Sequence, residues 1–126
     1  MNILKTQSLE MMMQNLNDEL FNDYHAFVKH TQKFPVDVAH PYLIAGLLSE
    51  AGEVAGVWKR MLRGDYEDNT IEGRAKILDE LGDILWYITS LCLLHESTLE
   101  NLIKINTAKL ARRLANDTIK GHGDER

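Results

Sequence analysis

Apolar residues recur at three- and four-residue spacing along almost the whole chain, and the only two prolines, Pro35 and Pro41, fall in one short link. Helices are therefore the elements this sequence supports. From Ser8 to about Thr31, Leu9, Met12, Met13, Leu16, Leu20, Phe21, Tyr24, Phe27 and Val28 make one amphipathic stripe. Beyond the prolines, the spacing predicts a second helix over Tyr42 to Arg63, a polar break from Gly64 to Thr70, and a third helix from about Ile71 to His95. Ser97-Thr98-Leu99-Glu100 has the form of a capping box, with Ser97 as N-cap and Glu100 reaching back, and opens a fourth helix to about Ala115. The β-branched residues are isolated within these patterns, and no run reads as a strand. The expectation is an all-α, antiparallel four-helix arrangement in a single domain over residues 1–126. Residues 116–126 lack apolar periodicity and are expected to be disordered, or ordered only on a ligand.

The second and third helices are apolar around most of their circumference. In the second, Ile44, Leu48, Ala55, Trp58 and Leu62 lie outside the stripe of Leu43, Leu47, Val54, Val57 and Met61. Two amphipathic neighbours do not cover such helices, so a homodimer or higher oligomer (a homotetramer, for instance) with these helices at its centre is expected. The 126 residues are 44% hydrophobic, enough for one core. Nineteen acidic against fourteen basic residues give a net charge of −5, which provides no bulk attraction for duplex nucleic acid. Cys92 is the only cysteine, which rules out an intramolecular disulfide and a multi-cysteine zinc site and fits a reducing compartment. The longest strongly apolar run, Ile84 to Leu94, falls short of the roughly 20 residues a membrane helix needs. With no signal-peptide pattern at Met1-Asn2-Ile3-Leu4-Lys5, a cytoplasmic protein without a membrane partner is expected.

An internal near-repeat carries the chemistry. Ser49-Glu50-Ala51-Gly52-Glu53-Val54 and Asp79-Glu80-Leu81-Gly82-Asp83-Ile84 each contain an acid-x-Gly-acid unit, and acids three apart share a helix face. At about 100° per residue, Glu50 falls within the stripe of Leu43, Leu47, Val54, Val57 and Met61. Glu80 falls likewise among Ile77, Ile84, Tyr87, Ile88 and Leu91. Carboxylates facing an interior must share protons, pair with bases or bind metal. If the 64–70 loop closes an antiparallel hairpin, Glu50 lies opposite Asp83 and Glu53 opposite Glu80, so that the four acids cluster. Gly52 and Gly82 are then expected to permit close approach, since an interior helix glycine costs roughly 1 kcal/mol against alanine. A carboxylate set without cysteine or histidine suits Mg²⁺ or Mn²⁺ ahead of Zn²⁺. No Glu-x-x-His occurs, against a ferritin-like di-iron site.

In the fourth helix, Asn106 lies in the stripe of Leu99, Leu102, Ile103 and Leu110, with Lys109 and Arg113 at its edge. Two readings stand: an amide that reads a base or ribose beside two phosphate-holding cations, or a structural hydrogen-bond network with snorkelling cations. Lys59, Arg60 and Arg63 suit the C-terminal dipole of the second helix, and Lys59 has the length to reach a phosphate as well. Trp58 and Trp86 read as core or interface rather than as base-stacking platforms.

Glu50-Ala51-Gly52-Glu53, then Glu80-Leu81-Gly82-Asp83-Ile84-Leu85-Trp86-Tyr87, then Asn106-Thr107-Ala108-Lys109-Leu110 with Arg113, resemble in order and spacing the E-x-x-E, E-x-x-D and N-x-x-K-L segments of the MazG-like all-α nucleoside triphosphate pyrophosphohydrolases. The resemblance implies Mg²⁺-dependent hydrolysis of a nucleoside triphosphate, usually non-standard or deoxy, to monophosphate and pyrophosphate. It also implies dimers or tetramers with sites near subunit interfaces. By position, Glu50, Glu53, Glu80 and Asp83 would hold Mg²⁺, Lys109 and Arg113 would contact the triphosphate, and Asn106 the nucleoside. Glu53 is the preferred catalytic base. The competing reading is a non-catalytic helical interaction protein whose acids are structural or bind a stabilising metal.

Overall fold

The computed structural model describes residues 19–123. They form four helices: α1, helical over residues 19–31, α2 (Ala39–Arg63), α3 (Ile71–Leu94) and α4 (Leu99–Ala115), with a 3₁₀ turn at Val36–Val38 and no strand among the described residues. The expected helix over residues 8–18, including the methionine run, lies outside the described residues. α2 begins three residues before the expected Tyr42, because Pro41 falls in its first turn, where the missing amide hydrogen costs no helical bond.

Each helix end has a local cause. Gly64, at φ 76°, closes α2 in a Schellman motif, with its amide donating to the Met61 carbonyl at 3.1 Å and Asp65 N donating to Arg60 O at 3.1 Å. Asp68 then starts α3, its Oδ1 accepting from the amides of Thr70 and Ile71. Glu96 (φ 55°) closes α3 and Asp117 (φ 53°) closes α4 through the same pair of bonds, without a glycine. The start of α4 differs from expectation. Thr98, not Ser97, is the N-cap and accepts from Asn101 N, while Ser97 Oγ accepts from the Asn101 side chain. Glu100 turns instead toward His25, whose buried Nε2 lies 3.7 Å from its Oε2 and accepts from Leu99 N.

α2 and α3 run antiparallel along their whole length. Near the loop, Gly73 packs against Met61, with the place of a Cβ 2.6 Å from the sulfur; midway, a Cβ at Gly46 would overlap the Tyr87 ring; at the far end, the His40 and His95 rings meet edge to face at 5.3 Å. The close-approach glycines are thus Gly46 and Gly73. Gly52 and Gly82, expected in that role, have nothing within 4 Å of the place a Cβ would take. The core contains Val28, Ala39, Leu43, Val57, Cys92 and Leu99, with Thr89 and Ser90 buried among them. α1 docks through Val28, His25 and a Trp86 Nε1–H bond to Thr31 Oγ1 at 2.7 Å. Much apolar surface stays uncovered: Ile44, Leu48, Trp58 and Leu62 on α2, and Ile103, Ile105, Leu110 and Leu114 on α4 are exposed.

Candidate metal centre

The α2–α3 pairing sets Glu50, Glu80 and Asp83 together. Each offers one carboxylate oxygen, and these oxygens lie within 4.8 Å of one another, with Glu50 and Glu80 half-buried and Asp83 exposed. The Glu50 carboxyl is held above its usual range by partial loss of water, then by the negative charges of Asp83, Glu80 and Glu53 and a hydrogen bond with Glu80. Three oxygen donors whose charges oppose one another fit a hard divalent cation. Glu53 does not join this trio. It stands at the right level but is exposed, since three residues of helix rotate it about 60° from Glu50; the cluster is therefore three acids with a fourth beside it.

Glu50 and Asp83 also line a cavity of about 330 Å³ whose remaining walls are Trp86 and Tyr87. Both aromatics are fixed from behind. Tyr87 packs on Gly46, and burial together with Tyr42, to which it hydrogen-bonds, raises its phenol above the usual value. Trp86 meets Tyr87 edge to face at 4.9 Å and Phe34 at 6.5 Å, while Phe34 stacks on Tyr42 at 4.9 Å. The sequence placed Trp86 in a core or interface. Its place beside the acids was legible only as its position three residues after Asp83, on an adjoining face of α3.

The residues expected to meet the substrate lie elsewhere. Asn106 and Lys109 line a separate, mostly apolar groove of about 790 Å³ between α1, α3 and α4, together with Tyr24, Leu85, Leu102 and Ile105. Asn106 is exposed in this open groove rather than facing a closed interior, because its stripe neighbours Leu102, Ile103 and Leu110 are themselves exposed. The acid-lined cavity and this groove share no lining residue. Arg113 is buried and donates from Nη2 to the Gly123 carbonyl at 3.4 Å. Of the tail, residues 116–123 are described: the chain turns back at Asp117 and reaches the end of α4, with Thr118 N and Oγ1 both donating to the Arg113 carbonyl. Lys59 is exposed by the α2–α3 loop, where Arg63 chiefly, and Arg60 and Lys59 more weakly, lower the Asp65 carboxyl.

A family model describing the MazG nucleotide pyrophosphohydrolase domain matches residues 39–116, which contain all of α2, α3 and α4. The chain belongs to the MazG nucleotide pyrophosphohydrolase family. The "Gene 37 protein" of Mycobacterium phage L5 is 36% identical over 85 residues, covering 68% of this chain and 75% of that one. No solved structure matches. The MazG match contains every acid of the cluster and ends one residue after α4, while α1 and residues 117–123 lie outside the matched span. Among the described residues, no helix is long and apolar enough to cross a membrane.

Proposed function

We propose that this MazG-family chain hydrolyses nucleoside triphosphates, non-standard or deoxy ones included, to nucleoside monophosphate and pyrophosphate with Mg²⁺, or Mn²⁺, held by Glu50, Glu80 and Asp83. The observation that carries this reading is the convergence of three carboxylate oxygens within 4.8 Å beside a cavity, in a family of nucleotide pyrophosphohydrolases. When bound, the cation supplies the positive charge without which a triphosphate and these acids repel, and it polarises the α-phosphate. The chain's own groups do the rest. Glu53, exposed at the edge of the trio, orients a water and accepts its proton as the water oxygen bonds to the α-phosphorus. The bond from that phosphorus to the bridging oxygen breaks, and pyrophosphate leaves with both electrons of that bond.

Asn106, Lys109 and Arg113 are proposed to meet the nucleoside and the phosphates. Because Asn106 and Lys109 line a different groove from the acids, they would reach the triphosphate from a second copy of the chain packed on the exposed faces of α2 and α4. Arg113 would do so on release of the Gly123 carbonyl, and Lys59 would assist at the loop end. A homodimer or homotetramer would bring these groups together.

The decisive test is pyrophosphate release from a panel of standard and modified nucleoside triphosphates, with Mg²⁺ and with EDTA, identifying the nucleotide product. Monophosphate and pyrophosphate in equal amounts, lost in EDTA, are expected. Diphosphate and inorganic phosphate, or no turnover across the panel, would overturn the reading in favour of another cleavage or a binding protein.

A further inference from the structure

The acid-lined cavity has four walls, and two are already accounted for by a cation. Of the aromatic pair, Tyr87 is committed: its ring fills the space over Gly46 and its hydroxyl pairs with Tyr42. Trp86 is differently placed. Its single polar atom is satisfied, Nε1–H donating at 2.7 Å to Thr31 Oγ1, whose own hydrogen goes to the carbonyls of Val28 (2.9 Å) and Phe27 (3.1 Å). The Phe34 ring stands at 89° to the indole and braces it. A half-buried indole with its N–H occupied by Thr31, held among the Phe34 and Tyr87 rings and lining a cavity, offers aromatic carbon surface and no hydrogen bond to whatever enters.

We propose that Trp86 is the wall on which the nucleobase of the substrate stacks, with Thr31 and Phe34 as positioning residues that set its angle to the carboxylates. The inference rests on the nucleoside triphosphate reading for its ligand. Stacking tolerates any base edge, so this wall selects for the presence of a base and ranks bases by stacking area rather than by hydrogen-bond pattern. Thr31 and Phe34 both precede residue 39, where the family match begins.

The test measures, by calorimetry with Mg²⁺, the affinities of an α,β-methylene nucleoside triphosphate and of inorganic tripolyphosphate, which has no base. Trp86→Leu is expected to weaken the nucleotide by roughly five-fold or more and to leave tripolyphosphate within about two-fold. Thr31→Val should shift the ratio in the same direction by less, and Thr31→Ser, which keeps the acceptor oxygen, should restore it. Both ligands weakened equally, or an unchanged ratio in Trp86→Leu and Thr31→Val, would overturn the proposal, as would a wild-type protein that binds neither ligand. If the analogue binds and loses affinity in Trp86→Leu while no nucleoside triphosphate is hydrolysed, the wall stands and the pyrophosphohydrolase reading falls.

Discussion

The α2–α3 hairpin and α4 are built from similar proportions of apolar residues, yet the hairpin is closed along one whole face and α4 only at its two ends. In the hairpin, Gly46 and Gly73 let the backbones close, Leu43 and Val57 disappear from solvent, and three acids are left converging at mid-height. α4 buries only Leu99 and Arg113 and is held at its two ends, by His25 on the Leu99 amide and by the turned-back tail on Arg113. Between those ties its apolar side chains border an open groove. A cation site needs only a few donors at fixed distance, which one pair of helices supplies. A substrate site that must be dry needs a lid, and here its candidate groups lie on the element whose surface is still open.

The largest effect that tests this contrast is on turnover. Glu50→Gln or Glu80→Gln should lower Mg²⁺-dependent hydrolysis by about a hundred-fold or more with helical content unchanged. Lys109→Ala should also be impaired, and mixing it with Glu50→Gln under conditions of subunit exchange should return part of the activity. That rescue is expected only if α4 of one copy completes the hairpin of another. Two dead variants that stay dead when mixed would place the whole site within one chain.

A second test concerns packing inside the hairpin. Gly46→Ala should destabilise by about 1–3 kcal/mol, since the Tyr87 ring occupies the space and is held by Tyr42. Gly52→Ala, with nothing within 4 Å, should stabilise by up to about 1 kcal/mol in a chain on its own. Urea denaturation of both variants measures the difference. A Gly52→Ala that destabilises would show that a second copy approaches the backbone there.

The smallest effect is electrostatic. Because the Glu50 carboxyl is raised in the folded state, the folded chain binds that proton more tightly than the unfolded one. Its contribution to stability is therefore fully present below the ordinary carboxylate range and is lost as pH rises through the raised value. Thermal melts in EDTA should show wild type losing stability relative to Glu50→Gln over that window. Saturating Mg²⁺ should reverse the order, adding about 2.7 kcal/mol to wild type at a hundred times its Kd. Melts parallel in both conditions would mean that the trio does not bind the ion.

The helices, their approximate limits and the hairpin register were legible because each follows from local chemistry: apolar spacing, two prolines, and Gly64 at a turn. Other stops were hidden, since Glu96 and Asp117 adopt a left-handed conformation that their sequence does not announce. The acids were found for a similar reason to the helices, as charges placed where the period demands apolar side chains. The sequence alone determined the all-α class, the four acids and the level at which α2 and α3 bring them together. Only the tertiary structure decided that Glu53 stands outside the trio, that Gly46 rather than Gly52 admits a neighbour, and that Trp86 joins the acids while Asn106 and Lys109 do not. Helical periodicity specifies which residues share a face. Which faces meet, and at what rotation, depends on the packing of side chains distant in sequence.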